Sequence, residues 1–112
     1  MSIKVHHLNN SRSQRILWLL EELGAPYEII HHQRDAVTNL APPELCAVHP
    51  LGKSPVIEEG GKIIFESAAI VEYLCERHGG ANLVPARGSD DHILYLEWLH
   101  FAEGSAMTPI LL

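Results

Sequence analysis

The chain has 112 residues, 46% of them hydrophobic and 20% charged, and a formal net charge of −6 at neutral pH. That balance suits one soluble unit with a buried core, and it argues against nucleic acid as a partner, because phosphates are held by clustered Lys and Arg. The opening residues Met1 to His7 contain no long apolar run, so neither a signal peptide nor a transmembrane helix is expected and a cytoplasmic location is.

In chain order, Ile3 to Leu8 reads as a short strand. Asn9 to Gln14 is then a loop turning into a helix, and Ser11 and Gln14 have the S-x-x-Q spacing of a capping box, which predicts Ser11 as the N-cap. The helix runs from Arg15 to Leu23, apolar on more than one face, so it is expected to be largely buried between the sheet and another layer. Gly24 should end it in a left-handed conformation, and Pro26 prevents its continuation. Tyr27 to Ile30 has the residue types of a second strand. Gln33 to Thr38 is polar and aperiodic, hence loop, and Pro42 to Val48 can start a short helix because proline is accepted in a first turn.

The stretch from His49 to Ile70 is denser. Pro55 stands before the apolar strand starting at Val56, where it removes a backbone donor and makes either a rigid turn or a cis bond. Gly60-Gly61 makes a hairpin to Lys62-Ile63-Ile64-Phe65, and Ser67 is the predicted N-cap of a third helix with Ile70, Val71, Leu74 and Cys75 on one face. Gly79-Gly80 should end that helix. The order predicts a mixed four-stranded sheet with helices on both faces, the first three strands parallel and the hairpin adding an antiparallel edge. Residues 1–80 form one unit in this reading, 81–89 a linker with Pro85 and Gly88, and 90–112 a further helix with Asp90 and Asp91 at its positive end.

The two cysteines, Cys46 and Cys75, have no C-x-x-C spacing and are read as reduced thiols. The histidines include the adjacent pairs His6-His7 and His31-His32, but neighbours on a strand point to opposite faces and cannot jointly chelate one metal. No metal is expected. Glu97 and His100 read as a solvated pair, and Arg15 as a structural partner for an acid.

Residues His49 to Ile70 resemble the glutathione-binding signature of the glutathione S-transferase family, whose N-terminal domain has a thioredoxin-like α/β fold. The resemblance implies a cis bond before Pro55 and backbone pairing of Val56 with the cysteinyl part of glutathione. It places the γ-glutamyl end at Glu66 and Ser67 and the glycine carboxylate near Lys53. The run from Trp98 to Ser105, with Met107 and Pro109 after it, resembles the first helix of the all-helical C-terminal domain of microbial members. The chain ends inside that helix, on an apolar Ile110-Leu111-Leu112, so a truncated transferase is expected.

Glutathione's thiol has a pKa near the free-cysteine value of about 8.5, and the reactive form is the thiolate. Lowering that pKa by about two units takes roughly 3 kcal/mol, within reach of one hydroxyl donor at a helix N-terminus. Ser11, four residues before Arg15, matches the activating serine of serine-type members. Capping alone would also explain Ser11, and one hydroxyl can do both, since it carries one donor and two lone pairs. Ser13, Asn10, a backbone N–H and water are the other candidate donors. Ser67 is explained by capping alone and Lys53 by a solvated turn, so both keep a purely structural alternative. The resemblance implies a homodimeric transferase that adds glutathione to a small electrophile or reduces a peroxide. The alternative is a non-catalytic glutathione-binding or interaction module, and the absence of cysteine near Ser11 disfavours a glutaredoxin-like enzyme.

Overall fold

Alternating apolar residues in the first strand decide which face of the sheet is covered. β1 (Ile3–Leu8) sends Ile3 and Val5 into a core completed by Ile16, Leu20, Ile57, Ile70 and Leu74 in the computed structural model, which describes residues 2–111. Each of these fully buried side chains contributes roughly 1.5–3 kcal/mol relative to exposure. Ile16 and Leu20 belong to α1 (Ser13–Leu23), and Ile70 and Leu74 to α3 (Ser67–Arg77); the two helices pack on each other and on this face. By the alternation of a strand, His6 and Leu8 face the other way. Leu8 and Val56 are buried on that side, and Leu45 of α2 (Glu44–Val48) is buried as well.

The sheet has four strands in the order β2-β1-β3-β4, with β2 spanning Tyr27–His32, β3 Val56–Glu59 and β4 Lys62–Phe65. It is mixed, with helices beside it, as the sequence predicts. One part of the expectation is corrected: β2 is parallel to β1, but β3 runs antiparallel to β1 as well as to β4. The cause is the connection after β2. α2 has only five residues, about 7.5 Å of helix, and does not carry the chain back along the sheet. The chain therefore enters β3 from the end where β1 and β2 finish, with Val56 opposite His6.

Three further expectations need correction. α1 starts at Ser13, its N-cap position is Arg12, and no side chain caps it; the Ser11 hydroxyl instead accepts from the Ser13 backbone N–H at 3.2 Å. α3 likewise starts at Ser67 rather than after it, with Glu66 at the N-cap position. Nor is α1 buried all round. Ile16 and Leu20 point inward while Trp18 is 69% exposed, because only one face meets the sheet and α3. Gly24 does end the helix at φ +65°, in the left-handed region that a Cβ disfavours.

After α3 the chain makes a short 3-10 turn at Gly80–Asn82 and then forms α4 (Asp90–Phe101), where the Ser89 hydroxyl accepts from the His92 N–H. A π-helical turn, Ala102–Ala106, separates α4 from α5 (Met107–Leu111). Trp98, Ile93, Leu94, Ile110 and Leu111 are exposed along this arm. Met1 and Leu112, the last residue of the apolar ending, lie outside the described residues. No helix among the described residues is long and apolar enough to cross a membrane.

Candidate functional site

Register brings the sequence-predicted residues to one end of the sheet. β1 finishes there at Leu8, β3 begins there at Val56, and Val56 is paired with both His6 and Phe65, so Glu66 and Ser67 emerge beside the Ser54-Pro55 junction. The Ser54-Pro55 bond is cis. The Ser54 hydroxyl donates to the His6 carbonyl at 2.8 Å and ties this junction to β1. The His49 and Phe65 rings stack with centroids 4.1 Å apart on the same side of the hairpin.

A cleft of about 1010 Å³ opens at this end, bordered by Ser11, Lys53, Ser54, Arg12, Arg34 and Met107 among others. It is at the upper end of the size usual for small-molecule sites. Four cationic side chains, Arg12, Arg15, Arg34 and Lys53, border it although the chain is acidic overall. Such a lining favours an anionic ligand. Two of these charges are already engaged: Glu103 approaches Arg12 Nε to 2.9 Å and also pairs with Arg15, joining the π-helical turn to the start of α1. The structural pairing expected of Arg15 is present.

Of the two serines singled out as thiol activators, Ser11 opens on the cleft and Ser13 does not. Ser13 is fully buried, and its hydroxyl lies 2.8 Å from His7 Nδ1 and 2.7 Å from Ser11 Oγ. Ser11 is half-buried, donates to the Leu8 carbonyl at 2.8 Å, and has Ser54 Oγ 3.5 Å away. Lys53 is exposed on the cleft wall, Pro55, Val56 and Ser67 are buried, and Glu66 is exposed.

Glu66 holds φ +73° and ψ +118°, an unusual conformation for a residue with a Cβ and one that costs on the order of 1–3 kcal/mol. Its carbonyl accepts the first α3 hydrogen bond, from Ile70 N–H at 2.9 Å. No side chain caps this helix. The N–H groups of Ser67, Ala68 and Ala69 thus lack intrahelical partners and form an anion-accepting end.

The wall carrying Ser11 is shaped by a residue that has no local signal in the sequence. Arg34 donates to the Asn9 and Asn10 carbonyls at 2.9 and 3.0 Å and to the Asn39 carbonyl at 3.1 Å, while its own N–H is held by the Asn9 side chain at 2.8 Å. Asn10 has φ +55° inside this clasp. Ser54 and His7 carry no local signal for their contacts either. His7 lies at the end of a run that reads only as a strand, and its partner Ser13 became visible only when the loop closed.

The two histidine pairs meet across β1 and β2 rather than along them. His6 Nδ1 lies 2.9 Å from His32 Nε2, and His6 also pairs with Glu58, whereas the His7 and His31 rings meet edge to face on the other side of the sheet. Among the described residues no group of three or more His, Cys, Asp or Glu is arranged to hold a metal ion, and Cys46 and Cys75 are free thiols.

Residues 1–76 match the family model for the glutathione S-transferase N-terminal domain. The chain belongs to the glutathione S-transferase family. It is 44% identical over 109 residues to glutathione S-transferase 3 of Schizosaccharomyces pombe, covering 94% of this chain and 43% of that protein. A glutathione S-transferase crystal structure from Actinobacillus pleuropneumoniae matches with a TM-score of 0.85 at 41% identity, over 91% of this chain and 48% of the other. A sphingomonad glutathione S-transferase complexed with glutathione matches with a TM-score of 0.68 at 27% identity, over 88% of this chain and 49% of the other. The chain spans about half the length of these relatives. Its sheet and flanking helices are the thioredoxin-like arrangement of this family.

Proposed function

We propose that this glutathione S-transferase chain binds glutathione at the cleft end of its sheet and stabilises the thiolate for attack on an electrophile or a peroxide. The observation that supports this reading is that Ser11, Lys53 and Ser54 border one cleft at the end of the sheet where β3 begins; Pro55, Val56, Glu66 and Ser67 do not border that cleft but follow Ser54 and β4 at the same end.

The residues fit the tripeptide. The γ-glutamyl carboxylate would take the free N–H groups and hydroxyl at Ser67, and Glu66 would accept from the ammonium beside it. The Val56 backbone, presented after Pro55, would pair with the cysteinyl peptide unit, and Lys53 would meet the glycine carboxylate. Those contacts hold the sulfur near Ser11. The Ser11 proton, which rests on the Leu8 carbonyl, turns to the thiolate when one arrives, with Ser13 as the weaker candidate for that role. Catalysis on this reading is positioning plus charge stabilisation of the attacking sulfur.

Residues 1–80 would act as the glutathione-holding unit, 81–89 as the linker, and 90–112 as the beginning of a helical domain that faces the electrophile. A homodimer and a cytoplasmic location belong to the same reading.

Titration of the chain with reduced glutathione, alone and as the Glu66→Ala/Ser67→Ala double variant, tests the site. Conjugation of an aromatic electrophile in the same sample tests the chemistry. Binding lost in the double variant, with conjugation by the parent, supports the enzyme. Binding without conjugation supports the second reading, a non-catalytic glutathione-binding module, and absent binding rejects the site.

A further inference from the structure

The hydroxyl of Ser11 is one link of a chain that starts inside the protein. Its Oγ is 2.7 Å from Ser13 Oγ, and Ser13 Oγ is 2.8 Å from His7 Nδ1. Each serine has one proton and two lone pairs, so the direction of the whole chain follows from counting them.

The Leu8 N–H points at Ser13 Oγ from 3.3 Å and the Ser13 N–H at Ser11 Oγ from 3.2 Å, so one lone pair on each oxygen is already taken. Suppose that His7 Nδ1 carries a hydrogen. It then fills the second lone pair of Ser13, whose own proton goes to its nearest acceptor, Ser11 Oγ. Both lone pairs of Ser11 are now occupied, and its proton stays on the Leu8 carbonyl 2.8 Å away, from which it is free to turn to a ligand.

Suppose instead that Nδ1 is bare. Ser13 then donates to it at 2.8 Å in preference to the Leu8 carbonyl at 3.3 Å, and the 2.7 Å contact between the serines is satisfied only if Ser11 leaves that carbonyl and donates inward. No proton on Ser11 remains for a ligand.

We propose that His7, as the Nδ1–H tautomer, is a positioning residue that turns the Ser13 and Ser11 hydroxyls outward and so makes Ser11 a donor to a bound thiolate. This rests on the assignment of Ser11 as the thiolate donor. Hydrogen bonds in such a row polarise one another, so the outermost O–H is also a stronger donor than an isolated serine. The groups facing the imidazole are the Ser13 hydroxyl from α1 and the His31 ring from β2, with ring centroids 5.9 Å apart for the two histidines. Burial, and secondarily His31, holds the His7 pKa below its ordinary 6.5. At neutral pH the ring is therefore uncharged and acts through its tautomer.

Two measurements test this on the intact chain. Nitrogen-15 NMR of the imidazoles is expected to find Nδ1 of His7 protonated and Nε2 bare; the reverse assignment overturns the proposal without any ligand. The second follows the ultraviolet absorbance of the glutathione thiolate against pH in the parent, Ser11→Ala, His7→Leu and His7→Asn. His7→Leu is expected to raise the bound thiol pKa by about one unit, leaving roughly tenfold less thiolate below the pKa. His7→Asn, whose amide N–H can occupy the Nδ1 position, is expected to restore most of the loss, which a mere packing role would not.

If Ser11→Ala raises the pKa and His7→Leu does not, the His7 proposal is wrong and the role of Ser11 stands. If Ser11→Ala leaves it unchanged, or glutathione does not bind, the Ser11 assignment fails and takes this inference with it.

Discussion

Ser11 Oγ and Ser13 Oγ lie 2.7 Å apart, yet one borders the cleft and the other is sealed beneath it. Two hydroxyls separated by a single residue thus have different duties. Ser13 joins the end of β1 to the start of α1, and Ser11 presents that junction to solvent.

Their removal should therefore have different costs. Ser13→Ala strips the partner from the Leu8 N–H and from His7 in a fully buried place, and is expected to lower stability by about 1–3 kcal/mol. Ser11→Ala, at a half-exposed position where water can substitute, is expected to cost less than about 1 kcal/mol. Urea unfolding midpoints of the two variants check this, and equal midpoints would contradict it.

Stability should fall as the solution is acidified through the histidine range. The pKa values of His7 and His32 are both held below 6.5, first by burial and then by a neighbouring histidine, with Glu44 opposing in part at His32. The unfolded chain binds protons at these side chains near 6.5, where the native fold still refuses them. The stabilisation is thus complete above about 6.5 and is lost as pH drops through the lowered native values. Unfolding midpoints between pH 7.5 and 5 measure it, and His7→Asn with His32→Asn should flatten the slope in that window.

Arg34 should be irreplaceable by lysine. Its guanidinium reaches three backbone carbonyls, of Asn9, Asn10 and Asn39, a geometry that a single ammonium cannot reproduce. Arg34→Ala is expected to cost about 1–2 kcal/mol and to speed amide exchange across residues 9–11, and Arg34→Lys should recover little of either. Rescue by lysine would mean that charge alone matters there.

Gly52 is the glycine on which the cleft wall depends. It has φ +61°, and a Cβ added to it would sit 2.6 Å from Cys46 Sγ. Gly52→Ala is expected to cost about 1–2 kcal/mol from the left-handed backbone alone. It should also weaken glutathione binding severalfold by shifting Lys53 and Ser54. Cys46→Ala in the same chain should relieve the contact but not the backbone strain, so a full recovery of stability would contradict this reading.

Much of the fold was legible because local chemistry and tertiary structure agree. The strand at Ile3, the glycine stop at Gly24, the two-glycine hairpin and the apolar face of Ile70 and Leu74 are each determined within a few residues. The direction of β3 was not, since Val56-Ile57-Glu58-Glu59 reads the same way up or down and the answer lay in how little length α2 adds. The caps failed for a related reason. Ser11 and Ser67 have the residue type of an N-cap, but Ser11 is drawn into contacts with Leu8 and Ser13, and Ser67 is already the first residue of its helix. The candidate site residues from Lys53 to Ser67 lie within one contiguous motif, whereas His7, Ser54 and Arg34 act through partners 6, 48 and up to 25 residues away. Separations of that size leave no periodic trace in a single sequence.

The most direct test of the site is a two-dimensional nitrogen-15 NMR titration of the chain with reduced glutathione. The largest saturable shifts are expected on the backbone amides of Ser11, Lys53, Val56, Ser67 and Ala68 at the cleft end of the sheet. Saturable shifts confined to α4 and α5, or no saturable shift at all, would contradict the assignment of the site.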